Sequence, residues 1–374
     1  MIKFPDNFLW GSAISAYQVE GGINKSDWSS LFPADQACDH YNRYEEDFDL
    51  LENQKVFRFS IEWSRIEPSE GEFSEKEIEH YRNYLKSLKK RGIKTMVTLH
   101  HFTSPTWFFD KKSWTKSDNV QFFVRFALRM LEEYHDLVDF WITINEPLIY
   151  CSKSFLVKDW PGPSKGVFAF IKAVRNQIKA HKAVYKAFHE RKDVEVGLSK
   201  NNQFFQGVTF VDKIVCSLSR YLWNRYFLNQ IRKEMDFIGI NYYFHRKIKF
   251  LRKKKSDNVT DLGWDICPEG IYWVLMENKR YNLPIYITEN GLADSKDEKR
   301  ISFIRDHLIW VKKAIEDQVD VKGYCHWSLI DNFEWDKGFN PRFGLVEIDY
   351  RDLSRSKRPS FSFYNEICLN NGIK

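Results

Sequence analysis

Short apolar runs rich in β-branched and aromatic residues recur along the chain, and between them the apolar residues step by three and four. The runs predict strands at 8–13, 56–61, 94–99, 138–144, 194–198, 237–241, 284–288 and 321–327. The intervening stretches predict helices. Ser74-Glu75-Lys76-Glu77 reads as a capping box opening one whose apolar face is Ile78, Tyr81, Leu85 and Leu88, and Arg91-Gly92 stops it. Val120, Phe123, Ala127, Met130 and Tyr134 mark a second, and Ile301, Ile304, Leu308, Val311 and Ile315 a third. Further helices are predicted at 41–53, 170–189, 210–231, 269–281 and 359–369. Eight strand–helix units with no linker or low-complexity tract predict the α/β class, as a closed (β/α)8 TIM barrel forming a single catalytic domain over 1–374. A doubly wound open sheet is the competing fold, but no glycine-rich phosphate loop follows any strand.

A barrel of this kind places its chemistry at the C-terminal ends of its strands. Polar residues gather there: Gln18 after the first, Arg58 within the second, His101 after the third, Asn145 and Glu146 after the fourth, Asn241 and Tyr243 after the sixth. Two stretches share one design. In Ile285-Tyr286-Ile287-Thr288-Glu289-Asn290-Gly291 and in Phe140-Trp141-Ile142-Thr143-Ile144-Asn145-Glu146-Pro147, an apolar run delivers a carboxylate at a strand end. Aromatic residues make up 17% of the chain, with 13 Trp, enough for a thick core and for flat faces against sugar rings.

The formal charge is +6, but seven basic residues lie between Arg246 and Lys255, and without them the balance is slightly negative. This excludes a general nucleic-acid face. The segment reads as a solvated loop or hairpin, with contact to a phosphate or anionic surface as the second reading. The six cysteines form no C-x-x-C pair, so neither a zinc site nor a redox motif is expected. Met1 to Pro5 offers no apolar signal region and no stretch is long enough to span a bilayer, so a cytoplasmic protein with reduced thiols is expected.

Paired carboxylates at strand ends suit glycosidic bond cleavage, with one as nucleophile and one as acid/base. A nearby guanidinium favours ionisation and a nearby carboxylate opposes it. Glu146, Glu289 and Arg58 can fill these parts, and the residues alone leave open which glutamate is which. Plainer roles compete: Arg58 could pair with Glu62, His101 could be a core histidine, Trp327 could be barrel core, and Glu334 could cap a turn.

The whole chain resembles glycoside hydrolase family 1, the β-glucosidase and β-galactosidase family. The resemblance is carried by Phe4-Pro5-x-x-Phe8-Leu9-Trp10-Gly11, Gln18-Val19-Glu20-Gly21 and Arg58-Phe59-Ser60-Ile61-Glu62-Trp63-Ser64-Arg65-Ile66. It continues through Asn145-Glu146-Pro147, Asn241-Tyr242-Tyr243, Thr288-Glu289-Asn290-Gly291 and the run from Trp327 to Trp335. It implies a retaining exo-β-glycosidase acting on β-D-glucosides, with galactosides or fucosides tolerated, needing no metal or organic cofactor. It assigns Glu289 as nucleophile and Glu146 as acid/base. Asn145 would bind the 2-hydroxyl, and Arg58 and Tyr243 would flank Glu289. Gln18, His101, Glu334 and Trp335 would hold the other hydroxyls, and Trp327 would stack under the ring. Trp264 would line the leaving-group side and Phe343 would close the glycone pocket. Asn241 belongs to the same motif set.

Departures bear on specificity. Loops after the fifth strand and after Asp294 are short for the family, and Phe102-Thr103 stands where many members carry Trp-Asp. Members that cleave 6-phosphorylated sugars lack the Glu-Trp pair, which is intact here, while Lys337 and the basic segment point the other way. A 6-phospho-β-glycosidase and a silent sugar-binding protein are therefore the rival readings. A small β-glycoside or short oligosaccharide is the expected partner, with no nucleic acid, no membrane and a possible homo-oligomer.

Overall fold

A computed structural model describes residues 2–157, 159–248 and 258–374. Eight parallel strands close into a barrel. They are β1 (Leu9–Ala13), β2 (Val56–Ser60), β3 (Lys94–His100), β4 (Phe140–Asn145), β5 (Glu195–Asn201), β6 (Phe237–Asn241), β7 (Ile285–Asn290) and β8 (Val321–Trp327). Each pairs with its neighbours in chain order, and Gly323 opposite Leu9 begins the β8–β1 register that closes the ring. All eight predicted strands are present. β5 runs three residues past its expected end, which brings Lys200 and Asn201 onto the strand.

Two apolar layers hold the barrel. Inward side chains such as Val56, Met96, Ile142 and Phe237 fill the interior, and Trp327 and Phe343 cap that column. A larger cluster lies between strands and helices. The helix Val120–Tyr134 shows how it forms: Phe123, Phe126, Ala127, Met130 and Tyr134 are buried on one face, each large side chain contributing about 1.5–3 kcal/mol. The helix Glu75–Lys90 starts at Ser74, whose hydroxyl accepts the Glu77 N–H. The reciprocal half of the expected capping box is missing, because the Ser74 N–H donates to the Ile66 carbonyl.

The expected helix at 210–231 is interrupted. An α-helix spans Phe210–Arg220, a π-turn Tyr221–Arg225, and a short helix Tyr226–Gln230. The hairpin expected over the basic segment falls largely outside the described residues. Its opening, His245–Ile248, pairs in parallel with Phe204–Gly207 from the connection after β5.

Candidate active site

Both glutamates sit where a barrel strand loses its register. The β4–β5 pairing shifts between Ile142 and Asn145, and the β7 pairings shift after Ile287. Such irregularities re-aim side chains at a strand end. Glu146 then takes a left-handed conformation, φ 42° and ψ 57°, as the chain turns into the helix Pro147–Cys151. That conformation is costly for a residue with a Cβ, and Pro147 at the first helical position fixes the turn.

Glu289 is nearly buried and lies against the guanidinium of Arg58. Tyr243 donates its hydroxyl to the other carboxylate oxygen at 2.8 Å. Arg58 is fully buried; its Nη2 donates to Asn145 Oδ1 at 2.7 Å. Arg58 therefore pairs with Glu289 and not with Glu62, whose carboxylate accepts from Ser64 and Thr103.

Glu146 has only neutral hydrogen-bond partners. Asn241 and Asn201 donate to its Oε1 at 2.8 and 3.2 Å. Burial, and then the charge of Glu289, push its carboxyl up to about 8, against the pull of the two amides and of Lys200. Lys200 is itself fully buried, which brings its ammonium down to about 7. Glu334 is also pushed up to about 8, by burial and by Glu289, Asp336 and Glu146.

These groups face a cavity of about 310 Å³. Gln18, His101, Tyr243 and Trp264 line it, as do Trp327, Glu334, Trp335 and Phe343, beside the two catalytic candidates. Arg58, Asn145 and Asn241 are not part of its wall. They lie behind it, holding the carboxylates and one another. Asn145 and Asn241, expected among the substrate-binding residues, bond to Arg58, His101, Glu146 and each other. Asn145 Nδ2 lies 3.1 Å from His101 Nε2, which makes that ring nitrogen an acceptor and places the proton on Nδ1. Nδ1 is buried with no partner among the described residues. Burial, with Arg58 and His100, holds His101 well below the usual imidazole range, so the ring is neutral.

Sequence reasoning missed Lys200 and Asn201, because Ser199-Lys200-Asn201-Asn202 reads as a polar turn and not as strand. It also missed Phe244, Leu262 and Arg246 in the wall. Phe102 occupies the wall with no donor to offer, and Thr103 turns away to Glu62. Lys337 pairs with Asp336 at 2.7 Å, so its cation is already matched, and Glu334 faces the cavity as a carboxyl. A phosphate at that end would meet the carboxyl before any unmatched cation.

The model of glycosyl hydrolase family 1 matches residues 1–209 and 224–373. The chain belongs to glycosyl hydrolase family 1. Membership makes it a retaining β-glycosidase of the β-glucosidase and β-galactosidase type. Beta-glucosidase A of Thermotoga maritima is 33% identical, with the match covering 100% of this chain and 99% of the relative. The solved beta-glycosidase from Pyrococcus horikoshii superposes with a TM-score of 0.94 at 35% identity, covering 100% of this chain and 96% of that one. The Thermotoga maritima beta-glucosidase solved in complex with castanospermine superposes at 0.93 with 31% identity, each chain covered in full.

Proposed function

We propose that the chain acts as one catalytic domain, a cytoplasmic exo-β-glycosidase of β-D-glucosides, with Glu289 as nucleophile and Glu146 as acid/base. The reading rests on one observation. Two carboxylates at the ends of β4 and β7 share a cavity but have opposite partners, a cation and a phenol for Glu289 and amides for Glu146. Glu289 attacks the anomeric carbon while Glu146, carrying its proton, protonates the leaving oxygen. Glu146 then takes a proton from water, and the water oxygen displaces the sugar from Glu289 with its configuration retained. His101 and Trp327 line the cavity side by side, and Trp327 presents a ring face. Trp264 and Phe244, 4.6 Å apart at the wall, form an apolar leaving-group side.

Cytoplasmic placement is supported by six cysteines that are all unpaired, five of them buried. The test is release of 4-nitrophenol from its β-D-glucoside by the wild type and by Glu289→Ala. Turnover by the wild type and loss of at least about 10⁴-fold in the variant are expected. Preference for the 6-phosphorylated glucoside would overturn the substrate assignment.

A further inference from the structure

The helix Phe210–Arg220 carries its apolar stripe on the outside. Asp212 and Cys216 are its buried residues, while Phe210, Val211, Ile214 and Leu218 are exposed, and Tyr221 and Leu222 extend the stripe through the π-turn. Phe210 is 79% exposed. A second exposed apolar group, Val167, Phe168 and Ile171, opens the helix Val167–His189, with Phe168 at 82%. The two groups belong to one face. A cavity of about 740 Å³ lies between them, lined by Ile171, Val174, Leu222 and Trp223. Monomeric proteins rarely leave so many large apolar side chains together in water.

The segments that build this face carry charge of one sign, though Asp265 pairs with Lys247 at the cavity, 3.4 Å away. Residues 165–175 and 244–248 contain no acidic residue, and 203–226 contain only Asp212, which is buried in its helix cap. Lys172 and Lys213 are exposed, Arg175 lies at the cavity edge, and Arg220 closes the apolar helix. The stretch that the family model leaves unmatched, 210–223, is this apolar helix with the start of its π-turn. Val167, Phe168 and Ile171 lie in the matched part.

We propose that this face seats the enzyme on an anionic lipid surface. A helix with apolar residues on one side and lysine and arginine beside them lies in the plane of a bilayer interface. Anionic headgroups answer the cations while the acyl boundary takes the phenylalanines. A second copy would answer only half of this, because a twofold contact would set the same cations against each other. The contact is peripheral: among the described residues no helix is long and apolar enough to cross a membrane. Arg246 lines both this cavity and the catalytic one, so docking sets the active site beside the lipid.

The test is sedimentation of the full chain with vesicles of phosphatidylcholine alone or with one quarter phosphatidylglycerol. Binding to the anionic vesicles should be about 10-fold tighter or more, and should weaken with salt. Phe168→Glu/Phe210→Glu, or Leu218→Glu alone, should lower it about 10-fold or more while hydrolysis of a soluble aryl glucoside stays unchanged. Lys213→Glu/Arg220→Glu should lose only the anionic preference. Failure of the wild type to sediment with anionic vesicles overturns the proposal. So does a wild-type dimer that Phe168→Glu/Phe210→Glu turns into a monomer without any vesicle binding, which would make the face a self-interface.

Discussion

Two buried charge clusters lie within a few residues of one another along the segment after β8, and they are built on opposite rules. Around Asp331 every oxygen is answered. Arg358 meets both at 2.9 Å, the Gly344 N–H reaches one at 2.9 Å, and Arg342 approaches the other at 3.3 Å. Three residues on, Glu334 is half-buried at the cavity; its partner is one amide at 3.4 Å, and the charges that act on it most are carboxylates. Glu146 resembles Glu334. The first cluster locks the loop that carries Glu334 and Trp335 onto the barrel. The second holds carboxyls that keep a proton into neutral pH. Burial alone does not separate Asp331 from Glu146; the completeness and sign of the partners do.

The comparison breaks most sharply at Glu146. Glu146→Gln keeps the shape and removes the proton donor, so hydrolysis of an alkyl glucoside should fall about 10²–10⁴-fold. A 2,4-dinitrophenyl glucoside, whose leaving group needs no acid, should lose far less in bond cleavage; equal losses on both would remove Glu146 from the acid role. Asp331→Ala should behave differently. It takes the carboxylate from the buried Arg358, and from the partly exposed Arg342, and should cost about 3–5 kcal/mol of stability, read by denaturant unfolding. A change under 1 kcal/mol would mean that the complete partner set does not hold the loop.

Glu334→Gln reverses that sign. A carboxyl raised in the folded state gives stability that is full below the ordinary carboxylate range and is lost as pH rises through about 8. The amide has no such loss. Its Tm at pH 9 should therefore exceed the wild type's by about 1–3 °C, while kcat/KM falls. The smallest effect is expected at Lys200. Glu146 must be protonated to act, so kcat/KM should fall as pH rises through about 8. Lys200 pulls that carboxyl down only while charged, and its own ammonium falls to about 7, so Lys200→Met should move the alkaline limb upward by at most about half a pH unit. Movement downward would remove Lys200 from the electrostatics of the site.

How much of this was legible in the sequence depended on the kind of order involved. Periodicity located all eight strands, because runs such as Phe237-Ile238-Gly239-Ile240-Asn241 are bounded by sharp polar changes. It lost the end of β5, where Ser199 still pairs with both neighbours and Lys200 and Asn201 continue on pairing with β6. It placed a helix after Phe210 but not which of its faces meets water. Motif matches picked out both glutamates and eight more of the twenty residues that line the cavity. The register shifts that aim the glutamates, and the placement of Asn145 and Asn241 behind the wall, depend on long-range pairing. No local pattern records those.

The division of labour between the two glutamates can be tested directly with a 2-deoxy-2-fluoro-β-D-glucoside bearing a good leaving group, which slows release of the glycosyl-enzyme. Mass spectrometry of the digested protein should find the sugar on the peptide containing Glu289, and none on Glu289→Ala. A label on Glu146 or Glu334, or none on a wild type that hydrolyses glucosides, would contradict the assignment.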